Sequence, residues 1–204
     1  EYGYYDGVVA SSHGDVFPVQ DYMKSISETA RDYSTAKFSS HDGHPFMVGS
    51  LARLNIDEGI HLNTETKKLL QDLGVSFPSF NPFHNNLAQA VEIMHFIEES
   101  IKLSRRILLQ DTWDVEPDYD VMAGTGYAAV EAPRGTLYYS YQVDVEGLIT
   151  GCDIITPTAQ NLANLEYDAN ELLKTSQPMD PSKIGVLLNM LVRAYDPCIT
   201  CSVH

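Results

Sequence analysis

NNLAQAVEIMHFIEESIKLSRRILL, residues 85–109, is the longest periodic segment of the chain. Leu87, Ala90, Val91, Met94, Ile97, Ile101 and Leu108 recur at intervals of three, four and seven, which is one face of an α-helix. A helix of this length suits a helical bundle, and its stripe reads as core rather than as a cofactor box. Upstream, Pro78, Asn81 and Pro82 break the chain after a shorter helix over 60–73, which Gly74 ends. Before that, residues 34–49 are small and polar and read as a loop. Asp15 stands where a helix cap would, and Val19, Tyr22, Met23, Ile26 and Ala30 give 19–33 helical spacing. Residues 2–9 read as a short strand or loop.

Downstream the texture changes. Residues 111–126 are acidic and loop-like. Residues 127–130, 137–145 and 148–155 are rich in β-formers, with Glu146-Gly147 as a turn between the last two. Residues 161–173 and 182–195 return to helix; Pro181 opens the second, and Asp196-Pro197 closes it. The fold class is mainly α, a helical bundle with a small antiparallel β insert. It forms one unit over 1–204: helical over 15–110, a β hairpin region over 127–155, and a helical tail over 161–204.

Composition narrows the function. The 204 residues carry 13 basic and 28 acidic side chains, a formal charge of −15. Such a surface repels phosphate backbones, so nucleic acid is not expected as a partner. No apolar run approaches the roughly 20 residues of a membrane span. The first residue is Glu1, with no basic, apolar leader ahead of it, so no targeting segment is expected. Three cysteines are too few for a disulfide scaffold and fit a reducing, cytoplasmic setting.

Two of those cysteines form a CxxC pair in Asp196-Pro197-Cys198-Ile199-Thr200-Cys201-Ser202-Val203-His204. Pro197 stops the preceding helix, so the pair lies on a turn where both sulfurs can face one soft metal. Taken alone, the pair fits a redox couple, half of a zinc site completed by Cys152 and a histidine, or two buried thiols. The histidines show no helical metal-binding spacing, and His41 and His44 read as structural or solvated.

The longer string Asp-Pro-Cys-x-x-Cys-x-x-His closely resembles the end of the large subunit of nickel–iron hydrogenases. Val130-Glu131-Ala132-Pro133-Arg134-Gly135-Thr136-Leu137 is similar to a second segment of that family, and Ile154-Ile155-Thr156-Pro157-Thr158-Ala159-Gln160-Asn161 to a third, in the same order. Tyr33 to Phe38 and Met47 to Arg53 resemble upstream segments, so the likeness covers nearly the whole chain.

The resemblance implies a nickel–iron centre held by four thiolates, with CO and cyanide on the iron. Cys198 would be a terminal nickel ligand and Cys201 a bridge between the metals. The implied reaction is reversible heterolytic cleavage of H2. A terminal thiolate such as Cys198 is the candidate proton acceptor. Arg134 would hang over the metals and Asp196 would hold it; without the resemblance the two read as an ordinary ion pair. Pro133, Arg134, Pro157 and Thr158 would line the pocket around the diatomic ligands. His204, with the backbone carbonyl of Ile154, would bind a magnesium (or iron) ion. Cys152 matches no ligand and reads as a structural thiol.

Family large subunits are about twice as long, and their upstream half carries the other CxxC. The implied partners are that upstream half, an Fe–S small subunit, plus further electron-transfer subunits. The segment over 153–161 resembles the cytoplasmic, bidirectional or cofactor-coupled type. Two alternatives differ in class: a homologous scaffold subunit without the metal site, and an unrelated zinc- or thiol-binding module. The last requires Arg134 and Asp196 to lie far apart.

Overall fold

A computed structural model describes residues 7–56, 62–109 and 119–203. In chain order the elements are β1 (Val8–Ala10), β2 (Val16–Pro18), α1 (Tyr22–Ser25), β3 (Ile26–Arg31), β4 (Ser34–His41), α2 (Ser50–Asn55), α3 (Thr64–Leu73), α4 (Asn85–Leu108), β5 (Gly124–Ala132), β6 (Gly135–Val143), β7 (Ile149–Ile155), α5 (Pro157–Thr175), α6 (Pro181–Tyr195) and α7 (Ile199–Ser202). All strand pairing is antiparallel: β1 with β2, β3 with β4, and a three-stranded sheet β5-β6-β7.

The helix ends follow local chemistry. Gly74 ends α3 in the left-handed conformation and returns its N–H to Leu70 and Gln71. The Asp180 carboxylate accepts from the N–H of Ser182 at the start of α6, and Pro181 occupies the first turn. Asp196 ends that helix with φ +47°, and Pro197 prevents its continuation.

The expected helix over 19–33 is corrected. A 3-10 turn and α1 occupy only Val19–Asp21 and Tyr22–Ser25; β3 follows at once, and β4 replaces the expected loop. The helical region expected over 15–110 is therefore, apart from that 3-10 turn and α1, helical only from α2 onward. Apolar spacing over so short a stretch fits either element, and pairing decided it. Glu28 pairs with Lys37 across the hairpin at 2.9 Å. On β4, Ala36 and Phe38 are buried with Leu162 of α5. His41 ends β4, where its Nδ1 lies 3.0 Å from the carbonyl of Ser25.

The three-stranded sheet packs the other way. Tyr138 and Ile155 are buried with Tyr22 and Ile26, and the rings of Tyr22 and Tyr138 stack at 4.9 Å. The Tyr22 hydroxyl donates to Asp153 at 2.7 Å. The Ala36–Phe38 cluster packs on α5, whose first turns are buried.

The stripe of α4 also needs correction. Its inward face is Asn85, Ala88, Val91, Glu92 and His95. Asn85 accepts from the N–H of Leu51 at 3.0 Å and donates to the carbonyl of Ala194 at 2.7 Å, which joins α4 to α2 and α6. Met94, Ile97, Ile101 and Leu108 stand 36%, 53%, 48% and 79% exposed. An apolar row four turns long thus stands exposed among the described residues.

Candidate metal centre

Four segments far apart in sequence meet at the β5–β6 turn. Ala132 and Gly135 are paired, so Pro133 and Arg134 form a two-residue turn. Gly135 has φ +134°, and a Cβ there would collide with the Val48 side chain. A Cβ on Gly49 would come within 3.0 Å of the Arg134 carbonyl. Asn161 of α5 accepts from the N–H of Val48 at 2.8 Å and donates to the carbonyl of Arg134 at 3.1 Å. The turn carrying Arg134 is clamped on its main chain before its side chain does anything.

That side chain reaches the end of α6. Arg134 Nε donates to the carbonyl oxygen of Asp196 at 2.6 Å, and Nη2 lies 2.9 Å from its carboxylate. The separation required by an unrelated thiol-binding module is absent. Two residues on, the N–H of Cys198 donates to the hydroxyl of Thr158 at 3.3 Å. Thr158 is buried in the first turn of α5, beside buried Pro157.

Cys198 and Cys201 are joined as a disulfide, with Cα atoms 5.3 Å apart, and Cys201 returns its N–H to the carbonyl of Cys198 at 3.0 Å. Pro197 ends α6, but the pair does not lie on a bare turn as expected: Cys198 caps the one-turn helix α7 and Cys201 lies within it. Metal binding would take the reduced thiolates. Cys201 is exposed and Cys198 half-buried. No group of three or more His, Cys, Asp or Glu side chains among the described residues is arranged to hold a metal. Two soft donors on an open face fit half of a thiolate-held centre. They do not fit a closed zinc site, which takes four ligands.

Pro133 is exposed at the tip of its turn. Ile154 stands in β7 opposite Tyr139. His204 lies outside the described residues. Cys152, read as a structural thiol, is an exposed free thiol on β7.

Sequence reasoning missed the polar groups behind the site. Arg53 is buried, with Nε and Nη2 on the two oxygens of Glu92 at 2.6 and 2.7 Å and Nη1 on Glu131 at 2.5 Å. The same guanidinium donates to the carbonyls of Ala132 at 3.1 Å and Pro133 at 3.3 Å. Burial by itself would lower its pKa, but the Glu92 and Glu131 carboxylates outweigh burial and hold it above its ordinary value. Glu131 also accepts from Thr136, and Glu92 from Ser50. A second set lies behind the cysteine turn: Tyr195 donates to Asp168 at 2.6 Å and receives a bond from Asn164 at 2.5 Å. Burial raises the Asp168 carboxyl. Partners 39 and 78 residues from Arg53 leave no local signal. The mixed apolar and acidic face of α4, with Glu92 beside Val91, was the one available hint.

A clamped arginine turn and a CxxC segment held by Thr158 thus meet at the end of α6. The chain belongs to the nickel-dependent hydrogenase family, whose model it matches over residues 3–204. It is 40% identical to the alpha chain of sulfhydrogenase 1 from Pyrococcus furiosus, aligned over 100% of this chain and 47% of that relative. It is 33% identical to the alpha chain of sulfhydrogenase 2 from the same organism, over 88% of this chain and 43% of that one. A solved NAD+-reducing nickel–iron hydrogenase shares the fold at a TM-score of 0.75 and 24% identity, covering 98% of this chain and 47% of the other. The chain thus spans about half the length of the relatives it matches.

Proposed function

We propose that this chain supplies half of a nickel–iron centre for the reversible heterolytic cleavage of H2. The observation that carries the proposal is the two-point grip of Arg134 on Asp196, two residues before Cys198. On reduction of the pair, it would hold a cation on the segment that carries the Cys198 thiolate. When bound, the metal pair would supply the Lewis acidity that polarises H2. Cys198 Sγ would take the proton, since a metal-bound thiolate stays deprotonated yet basic. Cys201 would supply the second sulfur. Arg134, held in one plane by Asp196, would direct its free N–H bonds toward the reacting pair and the cyanide ligands. Thr158 Oγ1 already accepts from Cys198, which leaves its own proton to donate to a cyanide nitrogen. Pro133 and Pro157 would supply apolar walls around the CO and cyanide ligands.

The remaining ligands would come from the upstream half of the polypeptide, with its own CxxC. The exposed row on α4 supports this, as an apolar face that such a half could cover. His204 and the Ile154 carbonyl would bind magnesium or iron, on the resemblance alone. Electrons would pass to an Fe–S small subunit in a cytoplasmic complex. No helix among the described residues is long and apolar enough to cross a membrane.

The test uses the full-length polypeptide with its companion subunits. Bound nickel, with H2-dependent reduction of a viologen dye, is expected. Protein free of nickel, or inactive toward H2 when loaded, would overturn the proposal.

A further inference from the structure

We infer that Arg53 is a positioning residue for Arg134: it holds the Pro133–Arg134 turn from its buried side and so fixes where the Arg134 guanidinium stands relative to Cys198. The inference rests on the proposed hydrogen-splitting reading for its catalytic consequence, but its geometry is independent of metal.

All three guanidinium nitrogens of Arg53 are engaged. Nε and Nη2 hold Glu92 on α4; Nη1 and Nη2 also hold the carbonyls of the two residues just before Arg134. Glu131, one residue further back, is tied from both sides, by Arg53 and by Thr136. Asn161 then takes the carbonyl of Arg134 itself. Three consecutive carbonyls, 132 to 134, are therefore captured by side chains from α2 and α5. Stability alone is a poor reason for such a cluster, because buried ion pairs are often replaceable by apolar residues without loss. A planar fork anchored on Glu92 and aimed at two carbonyls supplies direction, which is what a projecting catalytic guanidinium requires. Lysine keeps the charge but lacks the fork.

Three variants of the full-length enzyme test this: Arg53→Lys, Arg134→Lys and the double variant. Arg53→Lys should keep its nickel and iron and lose about ten- to hundred-fold in kcat, the scale set by small misplacements of a reacting group. In the Arg134→Lys background the same change should cause no further fall, because Arg53 acts only through Arg134. Independent, multiplying losses would overturn the inference, as would an unchanged kcat.

A second readout needs no metal and no activity. In the metal-free full-length protein, Arg53→Lys and the milder Glu131→Gln should speed amide exchange over residues 132–137 while leaving α6 at its wild-type rate. Equal acceleration in both segments would show a general structural role and overturn the inference. Absence of nickel or H2 activity from the wild type would instead refute the proposed function and leave this exchange pattern to decide the matter.

Discussion

The guanidinium of Arg134 grips Asp196 twice, at its main-chain carbonyl and at its carboxylate, 2.6 and 2.9 Å away. The two residues lie 62 apart in sequence, yet the pair joins the β5–β6 turn to the segment that carries Cys198. A single charge contact between partly exposed groups would be worth little. The two-point fork fixes a plane, and through it a direction.

Arg134→Lys should therefore leave nickel and iron in place and lower turnover about a hundred-fold or more, the usual effect of removing a preorganised donor. The check is metal content and kcat on the same preparation. Full activity in a metal-replete Arg134→Lys enzyme would remove the side chain from the chemistry.

Cys201→Ser should prevent assembly of the centre, because a hydroxyl is a poor substitute for a bridging thiolate. Elemental analysis of the purified complex should find no nickel. A Cys201→Ser enzyme that still oxidises H2 would exclude the bridging role.

The clamp behind Arg134 should be visible in stability. Asn161→Ala strands the N–H of Val48 and the carbonyl of Arg134, at a cost of about 1–3 kcal/mol for each group left unpaired. Gly135→Ala places a methyl group on the Val48 side chain at a backbone angle that suits only glycine, and should cost about 2 kcal/mol or more. Thermal unfolding of the full-length protein reads both; wild-type melting would contradict the geometry.

His95 links stability to pH. Burial lowers its pKa below the ordinary value, and its Nδ1 accepts from the N–H of Asn63 at 3.4 Å, which the protonated ring could not do. The unfolded chain then takes up a proton that the folded chain refuses. The contribution of neutral His95 is complete above pH of about 6.5 and declines as pH falls through that value toward the folded pKa. Urea unfolding between pH 8 and pH 5 should show the decline, and His95→Gln should flatten it. An identical slope in the variant would assign the effect elsewhere.

The exposed row of α4 makes a prediction about the longer polypeptide. Ile97→Glu combined with Ile101→Glu would be nearly neutral, within about 0.5 kcal/mol for each change, if the row met solvent. Covered by the upstream half, the same pair should cost several times that, because two unpaired charges would be buried. Denaturant unfolding of the full-length variant separates the two.

The sequence was most legible where local physics acts alone. The α4 period, the Gly74 cap, the Pro181 start and the β5–β6–β7 pattern all appear in the structure. Residues 19–41 were misread because an apolar pattern over about three turns suits a helix as well as a strand, and only the β3–β4 pairing under α5 settles it. The inward face of α4 was misassigned for a related reason. Hydrophobicity marks every face that will be covered, and Met94, Ile97 and Ile101 stand exposed among the described residues. At the site, Arg134, Asp196, Cys198 and Cys201 stood out through their motifs. Arg53, Glu92 and Asn161 did not, since their partners are assembled only by the tertiary fold.

Nickel-edge X-ray absorption on the full-length, assembled enzyme, wild type against Cys198→Ser, tests the central claim most directly. A sulfur-dominated nickel shell in the wild type, lost along with nickel in the variant, is the expected result. A wild-type preparation without nickel, or one whose C-terminal sulfurs hold a single zinc ion, would contradict it.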